Sequence, residues 1–118
     1  MPYTLQGTPL HVDVEPFLKD GKHFIPLREV VEALGGSVGF DNDTKTALAT
    51  IGPWTAHVGM ETTQIKVTGN DKVFNVSLTD EPFIEDGVTY VPFDLLRDAY
   101  GYQVAFNDGT VAIVNPNA

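Results

Sequence analysis

The chain has 118 residues, the length of one ordinary domain, and it can bury a core without disulfides or a structural metal. It contains no cysteine, which excludes disulfides, thiolate nucleophiles and cysteine-ligated zinc. The formal charge of −9 repels phosphate backbones, and no apolar run approaches the roughly 20 residues that span a bilayer, so neither nucleic acid nor membrane insertion is expected.

The first half of the chain is predicted to form short strands around one small helix. Residues 3–16, YTLQGTPLHVDVEP, follow the pattern strand, glycine turn, strand, and Asp20-Gly21 then marks a tight hairpin turn. Pro26 suits the first helical position, because a residue there needs no N–H donor, and Gly35 suits the helix end. Between them an apolar stripe at helical spacing comprises Leu27, Val30, Val31 and Leu34.

The second half predicts the same elements in the same order. Gly69-Asn70 lies between two alternating runs, as a hairpin turn does. Asp86-Gly87 marks another hairpin, Pro92 another helix start and Gly101 another helix end. The matching apolar stripe comprises Phe93, Leu96 and Tyr100.

These similarities predict an internal duplication. With a shift of 66 positions, residues 15–40 align with residues 81–106 without a gap, and ten of the 26 positions are identical. We therefore predict a single domain, 1–118, built of two repeats at about 3–51 and 63–114 that are joined by 52–62. The predicted fold class is α+β, with two pseudo-repeated β-rich units of short antiparallel strands, each with one small helix packed on the sheet.

A helix of about eight residues is not stable alone, so each helix must pack its apolar stripe on a sheet. We predict two similar core clusters, one for each unit. The first comprises Phe17, Leu27, Val30, Leu34, Val38 and Phe40, and the second comprises Phe83, Phe93, Leu96, Tyr100, Val104 and Phe106. Replacing Phe40 or Phe106 by alanine should then cost about 3–5 kcal/mol.

The motifs resemble a known family. Residues 16–46, PFLKDGKHFIPLREVVEALGGSVGFDNDTKT, match the pattern of the copper amine oxidase N-terminal-like domain, or stalk domain, and residues 82–110 match it in degenerate form. The resemblance covers about residues 3–114 and implies a small α+β module in which an antiparallel sheet wraps round a helix. It implies a non-catalytic surface or envelope module, without copper or amine oxidation, because in that family the chemistry belongs to a separate, larger domain.

Three residues are candidates for binding. Arg28 keeps an arginine of the family pattern, whereas the second copy has Asp94 there; the simpler interpretation is that Arg28 pairs with Glu32 at i+4. Trp54, the only tryptophan, either stacks on a ligand if it is exposed or seals the contact between the two halves if it is buried. Tyr102, which stands where the first copy has a glycine, is an aromatic residue that the repeat does not require.

No residue pattern predicts catalysis, a metal or a cofactor. The histidines His11, His23 and His57 have no i+3 or i+4 partner, although the first two could meet across strands. Asp41 and Asp43 lack the rest of a calcium loop, so an Asx turn is expected. A carboxylate cluster that could suggest a glycosidase flanks turns and is interpreted as structural; it comprises Asp80, Glu81, Glu85 and Asp86.

The sequence therefore predicts a non-catalytic module of an exported bacterial protein, acting at the cell surface or in the envelope as a spacer, assembly or protein-recognition domain. The expected location is extracellular or in the envelope, with the signal peptide absent from this chain. The alternative is a carbohydrate- or cell-wall-binding module, and the remote alternative is a metal-binding or hydrolytic enzyme. Expected partners are a protein or a cell-wall polysaccharide, and edge strands offer a route to a homodimer.

Overall fold

Thirteen strands and two helices form in the part of the chain that this computed structural model describes, residues 3–60, 62–107 and 109–116. In chain order the elements are β1 (Tyr3–Leu5), β2 (Thr8–Pro9), β3 (Phe17–Lys19), β4 (Lys22–Pro26), α1 (Leu27–Ala33), β5 (Ser37–Asp41), β6 (Thr46–Ile51), β7 (Trp54–Gly59), β8 (Gln64–Gly69), β9 (Lys72–Ser77), β10 (Phe83–Glu85), β11 (Val88–Pro92), α2 (Asp94–Tyr100), β12 (Gln103–Asn107) and β13 (Thr110–Val114). The chain is mostly β with two short helices, so the broad α+β prediction is confirmed.

The described strands form three sheets, with the orders β12-β13-β1-β2, β10-β11-β4-β3 and β5-β6-β7-β8-β9. Their pairs are antiparallel, as predicted, except that β1 runs parallel to β13 with Tyr3 opposite Val111. A parallel pair needs a long connection, and here nearly the whole chain supplies it. The first and last described strands are thus joined in one sheet, which local sequence patterns do not reveal.

The sheet β10-β11-β4-β3 combines one hairpin from each half of the chain. Its two inner strands pair with Ile25 opposite Val91. On one face both hairpins contribute rings to an aromatic cluster, whose centroids lie 4.9–5.3 Å apart; its members are Phe17, Phe24, Phe83 and Tyr90. Edge-to-face and offset contacts at these distances stabilise a fold beyond the burial of apolar area, so they hold the two hairpins together.

Residues 52–62, predicted only as the joint between two units, supply a core strand. Strand β7 pairs with β6 on one side and with β8 on the other, in the middle of the five-stranded sheet. Its inward residues Ala56 and Val58 are fully buried. The alternation TAHV therefore gives a strand with one buried face, and the Gly52-Pro53 turn before it closes a hairpin with β6.

The local turn predictions are confirmed, and the helix starts need a correction. Both central residues of the Asp20-Gly21 and Asp86-Gly87 turns have positive φ, as type I′ hairpins require. Gly35 and Gly101 end the helices at φ of 90° and 82°. Pro26 and Pro92, however, are the last residues of strands β4 and β11, because the fixed φ of proline also suits extended backbone. Helix α1 therefore starts one residue after Pro26, and α2 starts two residues after Pro92.

Most buried apolar residues form one core cluster instead of two similar ones, while Phe24 and Tyr90 belong to the aromatic cluster of the sheet β10-β11-β4-β3. Residues of both helices, including Val30 and Leu96, lie in the core cluster together with strands of the five-stranded sheet and of the sheet that contains β13. The prediction that Phe40 lies in the core is wrong, since this residue of the edge strand β5 is 48% exposed. Five other predicted core residues are half-buried at the rim of the core cluster: Leu34, Val38, Phe93, Val104 and Phe106. Phe17 and Phe83 are also half-buried, but they pack in the aromatic cluster.

The exposure of Phe40 changes the expected effect of its replacement. Phe40→Ala should lower the free energy of unfolding by about 1 kcal/mol or less. The reason is that Phe40 is already half exposed in the folded chain, so its replacement removes little buried apolar area. Phe106→Ala should cost clearly more, since the Phe106 ring contacts Phe93 and His23 at centroid distances of 5.0 and 4.0 Å. Urea unfolding of both variants checks this expectation, and equal losses would contradict it.

Candidate functional site

Arg28 lies at the mouth of a cleft of about 270 Å³, which we call the Arg28 cleft. The start of α1, the edge strand β5 and the β10–β11 hairpin form its walls. The lining residues are Leu27, Arg28, Glu29, Val38, Gly39, Phe40, Ala47, Ile84, Gly87 and Thr89. Phe40 and Ile84, two of the most exposed large apolar side chains in the described residues, thus face the same space.

The Arg28 guanidinium is held by contacts within its own half of the chain. Its Nη1 donates to the Val38 carbonyl at 3.1 Å and to the Glu32 carboxylate at 3.4 Å. The predicted pairing with Glu32 is confirmed, and because both side chains are about half exposed it contributes little to stability. Arg28 therefore holds the edge strand β5 against α1, and the Glu32 carboxylate offsets the positive charge of its guanidinium.

Two carboxylates lie at or beside the cleft in spite of Arg28, that of Glu29 in its lining and that of Asp86 in the adjacent turn. Burial, together with the carboxylates of Glu29, Asp86 and Glu85, raises the pKa of the Tyr90 hydroxyl. Glu29 on α1 lines the cleft, and Asp86 precedes Gly87, which also lines it, whereas Glu85 alternates with Ile84 and so points to the other face of the hairpin, with Phe83 and Tyr90. A ligand with positive charge is favoured there over an anion.

Trp54 and Tyr102 meet in a second, smaller pocket of about 190 Å³, which also contains Tyr100, Ile51, Gly52, Pro53 and Asn115. Trp54 is half-buried and packs edge-on against Phe74 at a centroid distance of 5.7 Å, so it is neither sealed in the core nor free in solvent. Tyr102 is only 9% exposed. The structure therefore brings two of the three predicted binding residues together and places Arg28 in the other cleft.

Two tyrosines link distant segments through buried hydroxyls. Tyr100 on α2 donates to the Ala49 carbonyl of β6 at 2.6 Å, and Tyr3 on β1 donates to the Val14 carbonyl at 2.9 Å. Burial is the main cause that raises the pKa of both hydroxyls above the ordinary value of 10.0. Each hydroxyl is thus held in its protonated form, in which it donates a hydrogen bond.

These raised pKa values predict alkaline unfolding. The folded chain keeps the protons of Tyr3 and Tyr100 while the unfolded chain releases them near pH 10, so their contribution to stability is present below pH 10 and is lost as the pH rises above it. Tyrosinate absorbance from these two residues should appear only together with the loss of circular dichroism. Ionisation of all the tyrosines near pH 10 in a chain that stays folded would contradict this.

The histidines are held by separate local contacts. His11 pairs with Asp13 at 3.1 Å on the surface, His23 stacks on Phe106, and His57 Nε2 lies 3.3 Å from the Thr68 hydroxyl. Burial, with the nearby Lys66 ammonium, lowers the pKa of His57. Within residues 3–60, 62–107 and 109–116, no group of three side chains is placed to hold a metal ion.

The acidic motifs take structural roles. Asp41 accepts hydrogen bonds from the Asp43 and Thr44 amides at 2.9 and 3.4 Å, which is the expected Asx turn. The Glu81 amide, which donates to Asp80 at 2.8 Å, is the main cause that lowers the pKa of Asp80, and Lys22 adds to it. These carboxylates are therefore used in turns and in a surface ion pair.

The sequence interpretation missed the role of Asp94 and the existence of the Arg28 cleft. Asp94 is 1% exposed and accepts hydrogen bonds from the amide and the hydroxyl of Thr79, both at 3.2 Å. The change from Arg28 to Asp94 between the copies thus replaces a surface arginine by a buried acceptor. The repeat alignment shows one difference at this cleft, since Thr89, one of its lining residues, stands where the first copy has His23.

The described residues include no helix long and apolar enough to cross a bilayer. Residues 4–114 match the copper amine oxidase N-terminal domain, a non-catalytic, stalk-type module. Neither a curated protein nor a solved structure matches the chain. Since the match covers nearly all of the sequence and agrees with the mostly β fold around two short helices, the chain belongs to the family of copper amine oxidase N-terminal domains.

Proposed function

We propose that this chain is a non-catalytic module of an exported bacterial protein, which acts at the cell surface or in the envelope as a spacer, assembly or protein-recognition domain. The observation that carries the proposal is the family match over residues 4–114, since that family is the non-catalytic part of copper amine oxidases. In this proposal any chemistry of the parent protein belongs to another domain.

We further propose that the module is one domain made of two repeats, at about 3–51 and 63–114, joined by 52–62. Support comes from the order hairpin, helix, two strands, which occurs at β3–β6 and again at β10–β13. Further support is the pairing of β4 with β11, which joins the two hairpins in one sheet. Because this pairing joins the two halves in one sheet, neither half completes its fold without the other, and a rigid module of this kind suits a spacer.

The test uses the purified chain and the parent protein. The chain, loaded with copper and supplied with benzylamine, should release no hydrogen peroxide above buffer. In the bacterial host, deletion of residues 4–114 should leave the activity of the remaining protein unchanged and alter its surface exposure or its assembly, measured by protease accessibility and cross-linking. Peroxide release by the chain alone would overturn the proposal.

A second candidate function, binding of carbohydrate or cell wall, is favoured by one observation. Trp54 and Tyr102 share a pocket, and aromatic side chains of this kind stack on sugar rings. Because Trp54 is the only tryptophan, its fluorescence reports directly on this pocket. Titration with muropeptides and with chitin and cellulose oligosaccharides should quench it if this candidate is right, and the absence of quenching by every glycan would exclude it.

Assembly through edge strands is a further form of the main proposal. Strand β9 is the last strand of its sheet, and its Val73 is 67% exposed, so its free backbone groups can pair with another chain. Sedimentation velocity over a range of concentrations tests for such a homodimer. Val73→Lys, which adds a charge at this edge, should weaken any dimer that forms there.

A further inference from the structure

The Arg28 cleft has a counterpart elsewhere in the structure. Three of its residues, Phe40, Ile84 and Thr89, correspond at the 66-residue shift to Phe106, Leu18 and His23. These counterparts line another recess together with Glu15, Pro16 and Gly109. In each recess the phenylalanine comes from one half of the chain and the two hairpin residues come from the other half.

The two recesses differ in what covers the phenylalanine. The His23 imidazole stacks on the Phe106 ring at 4.0 Å and 18°, and Phe93 contacts the same ring edge-on at 5.0 Å. In the Arg28 cleft Thr89 stands in place of His23, and Leu27 stands in place of Phe93. The ring of Phe40 therefore has no internal ring partner among the described contacts, and Phe40 is 48% exposed.

The surroundings of the Arg28 cleft favour a cationic, extended partner. The cleft lies between two edge strands, β5 and β10; the outer backbone groups of β10 can pair with an added strand, while the Val38 carbonyl of β5 already accepts from Arg28. Glu29 lines the cleft and Asp86 precedes Gly87 in its wall, while Arg28 is already paired with Glu32. A second copy of this chain would bring another net charge of −9 to the contact, which opposes self-association here.

We propose that the Arg28 cleft binds an exposed segment of a partner protein that places one aromatic side chain on Phe40, with lysine or arginine on either side. The aromatic ring takes the place that His23 occupies on Phe106, and the flanking cations face Glu29 and Asp86. This inference rests on the proposed protein-recognition function and names the chemistry of the partner.

The probe is the peptide acetyl-Lys-Lys-Trp-Lys-Lys-amide, titrated into the ¹⁵N-labelled chain and followed by amide chemical shifts. We expect saturable shifts at residues of β5 and of the β10–β11 hairpin. The peptides in which glutamate replaces lysine, or serine replaces tryptophan, should bind at least about tenfold more weakly, because they lose the charge or the ring contact. Shifts that fall outside the cleft would overturn the proposal.

Variants that exchange the two recesses make the test specific. Thr89→His, which copies the covered recess, and Phe40→Ala should each weaken peptide binding about tenfold or more. His23→Thr should uncover Phe106 and add peptide-induced shifts around it. The matched control is Val114→Ser, which removes an exposed apolar side chain from β13 and should bind like the parent. Native-like spectra confirm folding of every variant before titration.

The remaining outcomes separate this inference from the proposed function. Peptide affinity unchanged by both Thr89→His and Phe40→Ala overturns the cleft proposal and leaves a non-catalytic module standing. Self-association that Phe40→Ala abolishes, without peptide binding, would mean that the cleft takes a second copy and would also overturn it. Peroxide release from amines overturns the proposed function, whatever the peptide result.

Discussion

Replacing Tyr100 by alanine is expected to lower the free energy of unfolding by about 3–5 kcal/mol, the range for removing a large buried aromatic side chain. Tyr100 is 9% exposed, belongs to the core cluster, and joins α2 to β6 through its hydrogen bond to the Ala49 carbonyl. Tyr100→Phe isolates the hydroxyl and should cost about 1–2 kcal/mol, because the buried carbonyl loses its donor. Urea unfolding followed by circular dichroism measures both losses.

The chain supplies a matched control for Tyr100. Leu34 is its counterpart at the 66-residue shift and lies at the end of the other helix, where it is half-buried at the rim of the core. Leu34→Ala should therefore cost less than half of what Tyr100→Ala costs. Equal losses at the two positions would show that Leu34 contributes as much to the core as Tyr100, contrary to the difference in their burial.

Gly36→Ala is expected to destabilise the fold by about 3 kcal/mol, near the upper end of what forced overpacking costs. A Cβ at Gly36 would fall on the Thr50 carbonyl oxygen and against the side chains of Ile51 and Val31. The nearest atom belongs to the backbone of β6, so rotation of a side chain cannot relieve the clash. Thermal and urea unfolding of the variant should show this loss with an unchanged m-value.

Gly39→Ala is the control for Gly36→Ala. Gly39 lies on the edge strand β5, three residues further along, and an added Cβ would have no heavy atom within 4 Å. Its replacement should change stability by no more than about 0.5 kcal/mol, as is usual for surface substitutions. A large loss at Gly39, or a negligible one at Gly36, would show that β5 and β6 are not packed as described.

Local features of the fold were predictable from the sequence, because they depend on a few adjacent residues. The hairpin at Asp20-Gly21, the helix end at Gly35 and the Asx turn at Asp41 are of this kind. The parallel contact of β1 with β13 and the central place of β7 depend instead on which strands meet across the chain. The exposure of Phe40 has the same origin, since its alternation with Val38 suits a buried face but no described element covers its ring.

The candidate sites divide in the same way. The pairing of Arg28 with Glu32 follows from helical spacing, so it was predicted and is confirmed. The Arg28 cleft brings together Phe40 and Ile84, which are more than forty residues apart, so no local pattern reveals it. The exchange of His23 for Thr89 was visible in the repeat alignment, but it acquires meaning only when the structure shows the His23 ring stacked on Phe106.

The parallel contact between β1 and β13 has a mechanical consequence. Because the two strands run in the same direction, the chain enters at one end of the pair and leaves at the other. Pulling on the two chain ends would therefore slide the strands past each other and load their hydrogen bonds simultaneously, instead of peeling them apart singly. Gln6, whose amide and side chain bind Ile113 and Asn115, extends this clamp, so a tether under tension would gain resistance from it.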